Sequence, residues 1–451
     1  MIDSTLRRAL RRRDVLALAF GAMIGWSWVL LTGEWTTSAG TLGAVIAFAL
    51  GGAAMVFVAL VYAELASALP EVGGEHVYSR RALGEVASFV CSWAIVLGYV
   101  SVAAFEAVAL PYAVSFLLPA THWVPLWTVQ GFEVDLGFVA VGVAGAAVVT
   151  WVNLRGVEAS SGLQKTVTAV IMIVGLVFLV GAAGNGDAAN MAPLFVDGAA
   201  GLAAVLIMIP IMFVGFDVIP QAAGEIALPP QTIGKLIVTS VCCAMAWYCL
   251  LVLGVGYALP AADRAVPGMT TALASARAWG GQWAADLIVL GGIAGIVTTW
   301  NAFVVGASRL VYSMAASGML PAPLARLHPR YRTPHVALLG IGILTCIAPF
   351  FGRPVLLWLI NAGSFAVIIG YALVALSFLA LRVREPDLPR PYAVRRWRVV
   401  GGLAVVLCLA LATLYLPGSP AALAPVEWAL CLAWALFGLV LWTRGGARRP
   451  H

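Results

Sequence analysis

The sequence predicts an all-α integral membrane protein with twelve transmembrane helices. Hydrophobic residues make up 62% of its 451 residues and charged residues only 10%, with a mean hydropathy of +0.98, whereas a soluble domain carries about 25% charged residues. Apolar runs of roughly 20 residues, long enough to cross a bilayer as helices, recur without the alternating polarity of barrel strands. They place the spans at 15–35, 42–69, 86–118, 137–154, 163–184, 199–226, 233–260, 282–317, 335–351, 354–381, 399–417 and 425–443.

Lysine and arginine lie almost entirely on one side of these spans. All but Arg264, Arg277 and Arg353 are on the side of the N-terminus, and short loops rich in these residues stay in the cytoplasm. We therefore expect a multi-pass cell-membrane protein with both termini cytoplasmic, and the preference for arginine over lysine favours a bacterial inner membrane. The basic cytoplasmic segments would be the N-terminus 1–14, the loop 382–398 and the C-terminus 444–451.

The start of the chain also fits a secretory signal, because a basic segment precedes an apolar run. The run continues into Trp26 and Trp28 without a small-residue cleavage site, so we interpret it as a retained first span.

Other residue patterns argue against several classes of partner. The basic residues sit mainly in short loops on one side, as membrane insertion requires, so we expect a lipid bilayer and no nucleic acid around the chain. All seven cysteines fall inside predicted spans and the five histidines lie in loops or at an end. We therefore expect no cofactor, no disulfide framework and no thiolate or histidine metal site.

Two predicted spans are interrupted at corresponding positions. Span 1 contains "GAMIGWSWVLLTGEW" (21–35) and span 6 contains "IPIMFVGFDVIPQAAGEI" (209–226), in which two prolines and a glycine flank an intramembrane Asp217. Prolines and small residues break helices, and matching breaks in two halves indicate a transporter built from inverted repeats. We assign spans 1–5 (15–184) and 6–10 (199–381) to the repeats, and spans 11–12 (399–443) follow them.

A break in a membrane helix exposes backbone groups that must bind something or line a cavity. The half-helix after Gly25 would direct its positive end there, and carbonyls of the preceding half would direct negative ends, which suits a zwitterion. The alternative is that the glycines only allow close helix packing.

Five segments resemble the amino acid-polyamine-organocation superfamily of transporters. They are "YAELASALPEVGGEHVYSRRALG" (62–84), "NLRGVEASSGLQ" (153–164), "GFDVIPQAAGEI" (215–226), "GASRLVYSMAASGMLP" (306–321) and "RTPHVALL" (332–339). The resemblance implies the leucine-transporter type of fold, with substrate between the broken centres of spans 1 and 6 and beside spans 3 and 8. It implies substrate-binding roles for Ile24, Gly25, Trp26, Ser27, Phe213, Gly215, Phe216 and Asp217.

The sequence departs from the family pattern in three places. Span 1 has Gly25-Trp26-Ser27 where relatives carry Gly-Ser-Gly, so a tryptophan reshapes the pocket. Ile171 stands where many relatives have a lysine that mimics a bound sodium ion, and His76 replaces an aromatic hydroxyl residue of the cytoplasmic loop.

Three acids are candidates for binding or coupling. Asp217 lies mid-span, where an unpaired carboxylate would cost at least ~2.5 kcal/mol, so it holds a substrate ammonium, carries a proton or caps the second half-helix. Glu106, deep in span 3, suits a proton carrier, or alternatively a neutral glutamic acid bonded to another helix. Glu34 would attract cations to the outer vestibule, or be a solvated helix-end acid.

Two threonines are the candidates for sodium. Thr298 and Thr299 in span 8 stand where sodium-coupled members of the fold place ligands, although threonine in membrane helices often bonds its own backbone. Because hydroxyls are a weak signal and intramembrane acids are costly, we favour proton over sodium coupling. Glu64, Glu71 and Glu75 with Arg80 and Arg81 would form an inner-gate ion-pair network, or simply a solvated loop.

The leading functional hypothesis is secondary active transport of an amino acid by alternating access. A polyamine or other cationic-amine carrier is the rival, favoured by the three acids, and an amino-acid exchanger is a further alternative. A channel lacks support because no filter motif is present, and an intramembrane enzyme would need a nucleophile with a base, or a metal cluster.

Overall fold

The computed structural model describes residues 6–118, 124–266, 268–419 and 422–446. Its α-helices are α1 (Arg12–Met23), α2 (Ser27–Leu30), α3 (Thr32–Ala39), α4 (Thr41–Ala68), α5 (Glu75–Leu83), α6 (Glu85–Leu117), α7 (Leu136–Leu154), α8 (Val157–Asn185), α9 (Gly198–Met212), α10 (Val218–Gln221), α11 (Pro230–Ala258), α12 (Ala261–Arg264), α13 (Thr270–Trp279), α14 (Gln282–Ala316), α15 (His335–Ile347), α16 (Val355–Arg384), α17 (Trp397–Thr413) and α18 (Pro425–Gly446). An antiparallel hairpin, β1 (Pro125–Val129) and β2 (Phe132–Asp135), joins α6 to α7.

Eight of the described helices are long and apolar enough to cross a membrane: α4, α6, α7, α8, α11, α14, α16 and α18. Three shorter apolar segments are α9, α15 with its 3-10 continuation, and α17. Each predicted span coincides with one of these helices or, for span 1, with the broken α1–α3 segment. The chain is therefore a mostly helical, multi-pass membrane protein.

The connections contain structure that apolar runs do not predict. The β-hairpin and the helices α5, α12 and α13 all lie between spans, and α8 begins at Val157, six residues before the predicted start of span 5. These segments are too short or too polar to register as membrane spans, so hydropathy alone misses them.

The two predicted breaks are present and touch each other. The chain leaves helical geometry over 24–26 between α1 and α2, and over 213–217 between α9 and α10. Gly215 has a φ of +133°, and a Cβ there would lie 2.6 Å from the Cβ of Ala22. Only glycine therefore allows this close approach of the two broken segments.

Two long helices occupy the centre and one lies at the edge. In the most apolar stretch of α14, 83% of residues are buried, and in that of α6, 78%, against 11% for α18. Gly295 of α14 contacts the carbonyl of Gly25, since a Cβ there would come within 3.0 Å of the carbonyl carbon. The central helix thus packs directly on the first break.

The ion pairs on the side of the basic loops differ from the predicted network. Glu64 pairs with Arg382 and Arg390 of the segment around the end of α16, at 2.6 and 3.1 Å. Arg80 pairs with Glu85 at 3.6 Å, and Arg81 pairs with Glu385 at 2.6 Å. The expected network among the three glutamates and two arginines was therefore wrong, because Glu64 and Arg81 pair with residues at and after the end of α16, and Arg80 pairs with Glu85 at the start of α6.

A buried ion pair joins Arg309 of α14 to Glu225, which follows α10. The Nε and Nη2 atoms of Arg309 donate to the two carboxylate oxygens of Glu225 at 3.0 Å, and both side chains are almost fully buried. The carbonyl of Glu225 also accepts bonds from the N–H groups of Ala9 and Leu10. The N-terminal segment, the end of the second broken helix and α14 are thereby joined.

Candidate functional site

A cavity of about 630 Å³ lies against the first break, between α6, α9, α14 and the start of α16. Most of its walls are apolar, with side chains such as Leu30, Val102, Phe303 and Ile360. Its outer end is formed by the hairpin turn 130–132 and by Arg353, whose guanidinium lies 4.8 Å above the ring of Tyr112. The cavity therefore extends from the broken helix to the loops on the side predicted to be external.

The cavity brings together five of the predicted residues. Gly25, Trp26 and Ser27 of the first break line it, with Glu106 of α6 and Thr299 of α14. The remaining predicted residues do not belong to the described lining: Ile24, Phe213, Gly215, Phe216, Asp217, Thr298 and Glu34. Ile211, Met212 and Val214 contribute the second broken segment instead.

The backbone at the first break has unused donors. Within the described residues, no hydrogen bond uses the N–H group of Gly25 or Trp26, the two residues between α1 and α2 that line the cavity, whereas Ile24 still donates to Phe20. A carbonyl at the break, that of Met23, accepts the Tyr248 hydroxyl at 2.8 Å. Two consecutive free donors in residues that line a cavity can bind an anionic oxygen such as a carboxylate.

Trp26 fills space beside these donors. Its side chain is 3% exposed, and its indole N–H has no partner in the described parts of the chain. Its ring lies on Gly292 of α14, where a Cβ would overlap it. The ring is therefore held by the bare backbone of α14 and narrows the cavity.

Glu106 is the acid of the cavity lining. It is 2% exposed, and its Oε2 has no hydrogen-bond partner among the residues that the structure describes. A Cβ on Gly25 would lie 3.2 Å from its Oε1 and 3.1 Å from the Oγ1 of Thr299. A buried, unpaired carboxyl group beside the break can hold a proton or face a cationic group.

Asp217 is buried behind the cavity wall. Its Oδ2 accepts the Tyr99 hydroxyl at 2.6 Å and its Oδ1 accepts the N–H of Gly215 at 2.8 Å. Phe216 beside it packs against Tyr62 and Tyr371 with ring centroids 5.4 and 5.7 Å apart. In this conformation the carboxyl group of Asp217 therefore stabilises the second break.

The two threonines of α14 have different partners. Thr298 Oγ1 donates to the carbonyl of Gly295 in its own helix at 2.8 Å, while Thr299 Oγ1 reaches the carbonyls of Gly21 and Ala22 at 3.2 and 3.4 Å. Both hydroxyls are thus already hydrogen-bonded. The carbonyls of Gly21 and Ala22, which Thr299 reaches, lie in the region where a sodium ion was the alternative expectation.

Two side chains of α8 bond the preceding turn of α1. The Gln164 amide and the Thr168 hydroxyl donate to the carbonyl of Ala17 at 3.2 and 3.3 Å. The Oε1 of Gln164 accepts from Asn301 of α14 at 2.7 Å. Ile171, at the position of the expected lysine mimic, is fully buried.

The outer end of the cavity is lined by residues that the sequence did not single out. The predicted vestibule acid, Glu34, is exposed on α3 and does not belong to the described lining. Arg353 and the hairpin turn occupy the outer end instead. The sole sequence signal for Arg353 was its place among the three basic residues on the outer side. Phe105 and Phe303 lie beside Glu106 and one turn after Thr299, but apolar residues in membrane helices are too common to single out.

Comparisons with known proteins agree with this architecture. The sequence model of the amino acid permease family matches residues 10–440. The chain belongs to the amino acid permease family. This confirms the superfamily resemblance and identifies the permease as a member of a transporter family, not an enzyme.

The permease is similar to several curated transporters. The branched-chain amino acid permease BcaP of Bacillus subtilis is 28% identical over 98% of this chain and 93% of its own length. The methylthioribose transporter of the same organism is 26% identical over 90% of this chain and 88% of its own. Human cationic amino acid transporter 4 is 26% identical over 86% of this chain and 62% of its own.

Proposed function

We propose that this permease is a secondary active transporter that moves an amino acid across the cytoplasmic membrane by alternating access. Family membership and the two touching breaks support a leucine-transporter-type fold of two inverted five-helix repeats, 15–184 and 199–381. In this arrangement the two repeats move against each other around a site at the breaks.

The two free N–H groups of Gly25 and Trp26 carry the proposal of an amino-acid substrate. The substrate carboxylate would accept bonds from these two residues, which line the cavity. The apolar walls favour a substrate with an apolar side chain. The similarity to a branched-chain amino acid permease agrees with this substrate class.

A cationic amino acid is the second candidate. Glu106 offers an unpartnered carboxylate oxygen inside the cavity, and relatives that include human cationic amino acid transporter 4 are named for cationic substrates. In this case Glu106 would bind the side chain of the substrate.

We infer that protons drive transport and that Glu106 is the coupling acid. The hydroxyls of Thr298 and Thr299 are engaged with backbone carbonyls, and Gln164 and Thr168 take up the carbonyl of Ala17. These bonds occupy groups that would serve a sodium ion. A buried, unpaired glutamic acid suits proton exchange instead.

Proteoliposomes with an imposed pH gradient test both parts of the proposal. Counterflow of labelled leucine, isoleucine or valine should be saturable, and net uptake should rise as external pH falls and survive replacement of sodium by choline. Glu106→Gln should exchange substrate without concentrating it, while Glu34→Gln, a change at an exposed acid, should behave as the wild type. Uptake that collapses without sodium and ignores the pH gradient would contradict proton coupling, and counterflow of lysine or arginine alone would favour the second candidate.

A further inference from the structure

Glu75, the first residue of the loop helix α5, is a buried acid. Its side chain is 0% exposed, and among the described residues neither carboxyl oxygen makes a hydrogen bond of ordinary geometry, although the Tyr62 hydroxyl lies beside them. An ionised carboxylate in such a place costs several kcal/mol unless a cation or several donors face it. These surroundings therefore favour the neutral, protonated form of Glu75 in this conformation.

The start of α5 is held against the second broken helix. The N–H of Gly73 donates to the carbonyl of Gln221 at 3.3 Å, and a Cβ on Gly74 would lie 2.8 Å from Pro220. The side chain of Gln221 is fully buried, and neither its oxygen nor its nitrogen has a partner. Unsatisfied polar atoms thus lie on both sides of this contact.

The groups around Glu75 are acids or weak acids. Among the described residues, the buried hydroxyls of Tyr62 on α4, Tyr78 on α5 and Tyr371 on α16 make no hydrogen bond of ordinary geometry. Tyr62, Tyr78, Cys91, Tyr99, Asp217 and Tyr371 lie within electrostatic range of the Glu75 carboxyl. Asp217 is the carboxylic acid among these six groups, and none of the six offers a positive charge to an ionised Glu75.

Burial, and secondly the nearby Asp217, raise the pKa of Glu75 well above its usual range. His76, the next residue, does not supply a positive charge, because burial and Arg80 lower its pKa to about 4. Its ring instead bonds the hydroxyls of Ser317 at 2.9 Å and Ser88 at 3.1 Å.

On the cytoplasmic face of α5 the surroundings are basic, in contrast to the acidic groups around the Glu75 carboxyl. A depression of about 1250 Å³ there is lined by arginines on three different segments and by one acid, Glu71. The arginines are Arg7, Arg8, Arg80, Arg81 and Arg332, of which Arg7, Arg80 and Arg81 pair with Glu158, Glu85 and Glu385. Water and the arginines at this surface would favour an ionised Glu75 if α5 moved away from α10.

We propose that Glu75 is a second proton-binding site, separate from Glu106, which holds a proton while α5 is closed on α10 and releases it to the cytoplasm when they part. In the release step the O–H bond of the carboxylic acid breaks, a water molecule takes the proton, and the carboxylate remains beside the arginines. The release step rests on the proposed transport function, whereas proton binding by Glu75 does not.

Infrared spectroscopy of the purified permease tests proton binding without transport. The carbonyl stretch of protonated carboxyl groups should titrate with pH in the wild type, and Glu75→Gln should remove one component of it. Glu71→Gln, at an exposed acid four residues earlier in the same loop, should leave that component in place. A Glu75→Gln spectrum identical to that of the wild type would overturn the proposal.

A second variant covers the case in which Glu75→Gln does not fold. Glu75→Asp keeps a carboxyl group but changes its reach, so the same component should shift in frequency or in titration midpoint. An unshifted component would contradict the assignment to this position.

Transport tests the release step separately. In proteoliposomes, Glu75→Gln should lose more of its pH-driven accumulation than of its counterflow, and Glu71→Gln should lose neither. Equal losses in both assays would overturn a role in proton release. If the wild type shows no counterflow of any amino acid, the proposed function fails, while the infrared result still decides whether Glu75 binds a proton.

Discussion

Trp26 limits the space available to a substrate. Its ring is buried between the cavity and the bare backbone at Gly292, beside the free N–H groups of the break. Trp26→Gly should enlarge the cavity and allow bulkier amino acids, such as phenylalanine or tryptophan, to compete for transport. Competition by a panel of unlabelled amino acids in counterflow measures this range.

Trp28 provides the matched control. It is also fully buried but is not among the described residues that line the cavity. Trp28→Gly should lower the melting temperature without changing the order of competing substrates. An unchanged order in Trp26→Gly as well would mean that Trp26 does not bound the substrate.

His76 should make stability depend on pH. Its pKa falls from 6.5 to about 4 in the folded protein because the ring is buried and Arg80 is near. Between these pH values the unfolded chain binds more protons than the folded one, so the free energy of unfolding decreases as pH is lowered from 6.5 towards 4.

His76→Gln removes this titration and should therefore lose less melting temperature than the wild type over the same pH interval. Melting temperatures in detergent at pH 6.5 and pH 4.5 give the comparison. Equal losses in the two proteins would show that the protonation of His76 does not contribute.

At the scale of elements, the contact between the two breaks depends on Gly215. Its φ of +133° is strained for any other residue, and a Cβ would press on Ala22. Gly215→Ala should cost about 1–3 kcal/mol of stability from backbone strain and reduce counterflow, since the second broken segment must shift.

Gly162→Ala is the control for this substitution. Gly162 lies on α8 with nothing within 4 Å of its Cβ position, and alanine favours a helix. Its melting temperature should equal or exceed that of the wild type. A Gly215→Ala protein that melts and transports like the wild type would contradict the close contact of the breaks.

At the scale of the whole molecule, the distribution of lysine and arginine predicts that both termini are cytoplasmic. His451, the C-terminal residue, lies outside the described residues, so Arg444 in α18 is the better position for a label. A cysteine at Arg444 should react with a membrane-impermeant maleimide only after cells are opened. A cysteine at Thr128, exposed in the hairpin β1–β2, should react in intact cells, and the reverse pattern would invert the topology.

The sequence by itself determined the long apolar helices, because a bilayer requires every span to be long, apolar and internally hydrogen-bonded. It also located both breaks, since proline and glycine act on the backbone where they stand. For the same reason Gly25, Trp26 and Ser27 could be placed at a break from the sequence, while their role in substrate binding stays a prediction. An intramembrane acid such as Glu106 stands out in the sequence because it is costly to bury.

Only the tertiary structure decided which side chains face the cavity. Whether Val214 or Phe216 points into it depends on how the unwound segment turns, and no periodicity applies to a segment without regular structure. Pairings such as Tyr99 with Asp217 and Arg309 with Glu225 join residues far apart in the chain. Such pairings follow from helix packing, in which many apolar surfaces are equivalent in sequence, and so the partners of each buried charge become known only once the helices are assembled.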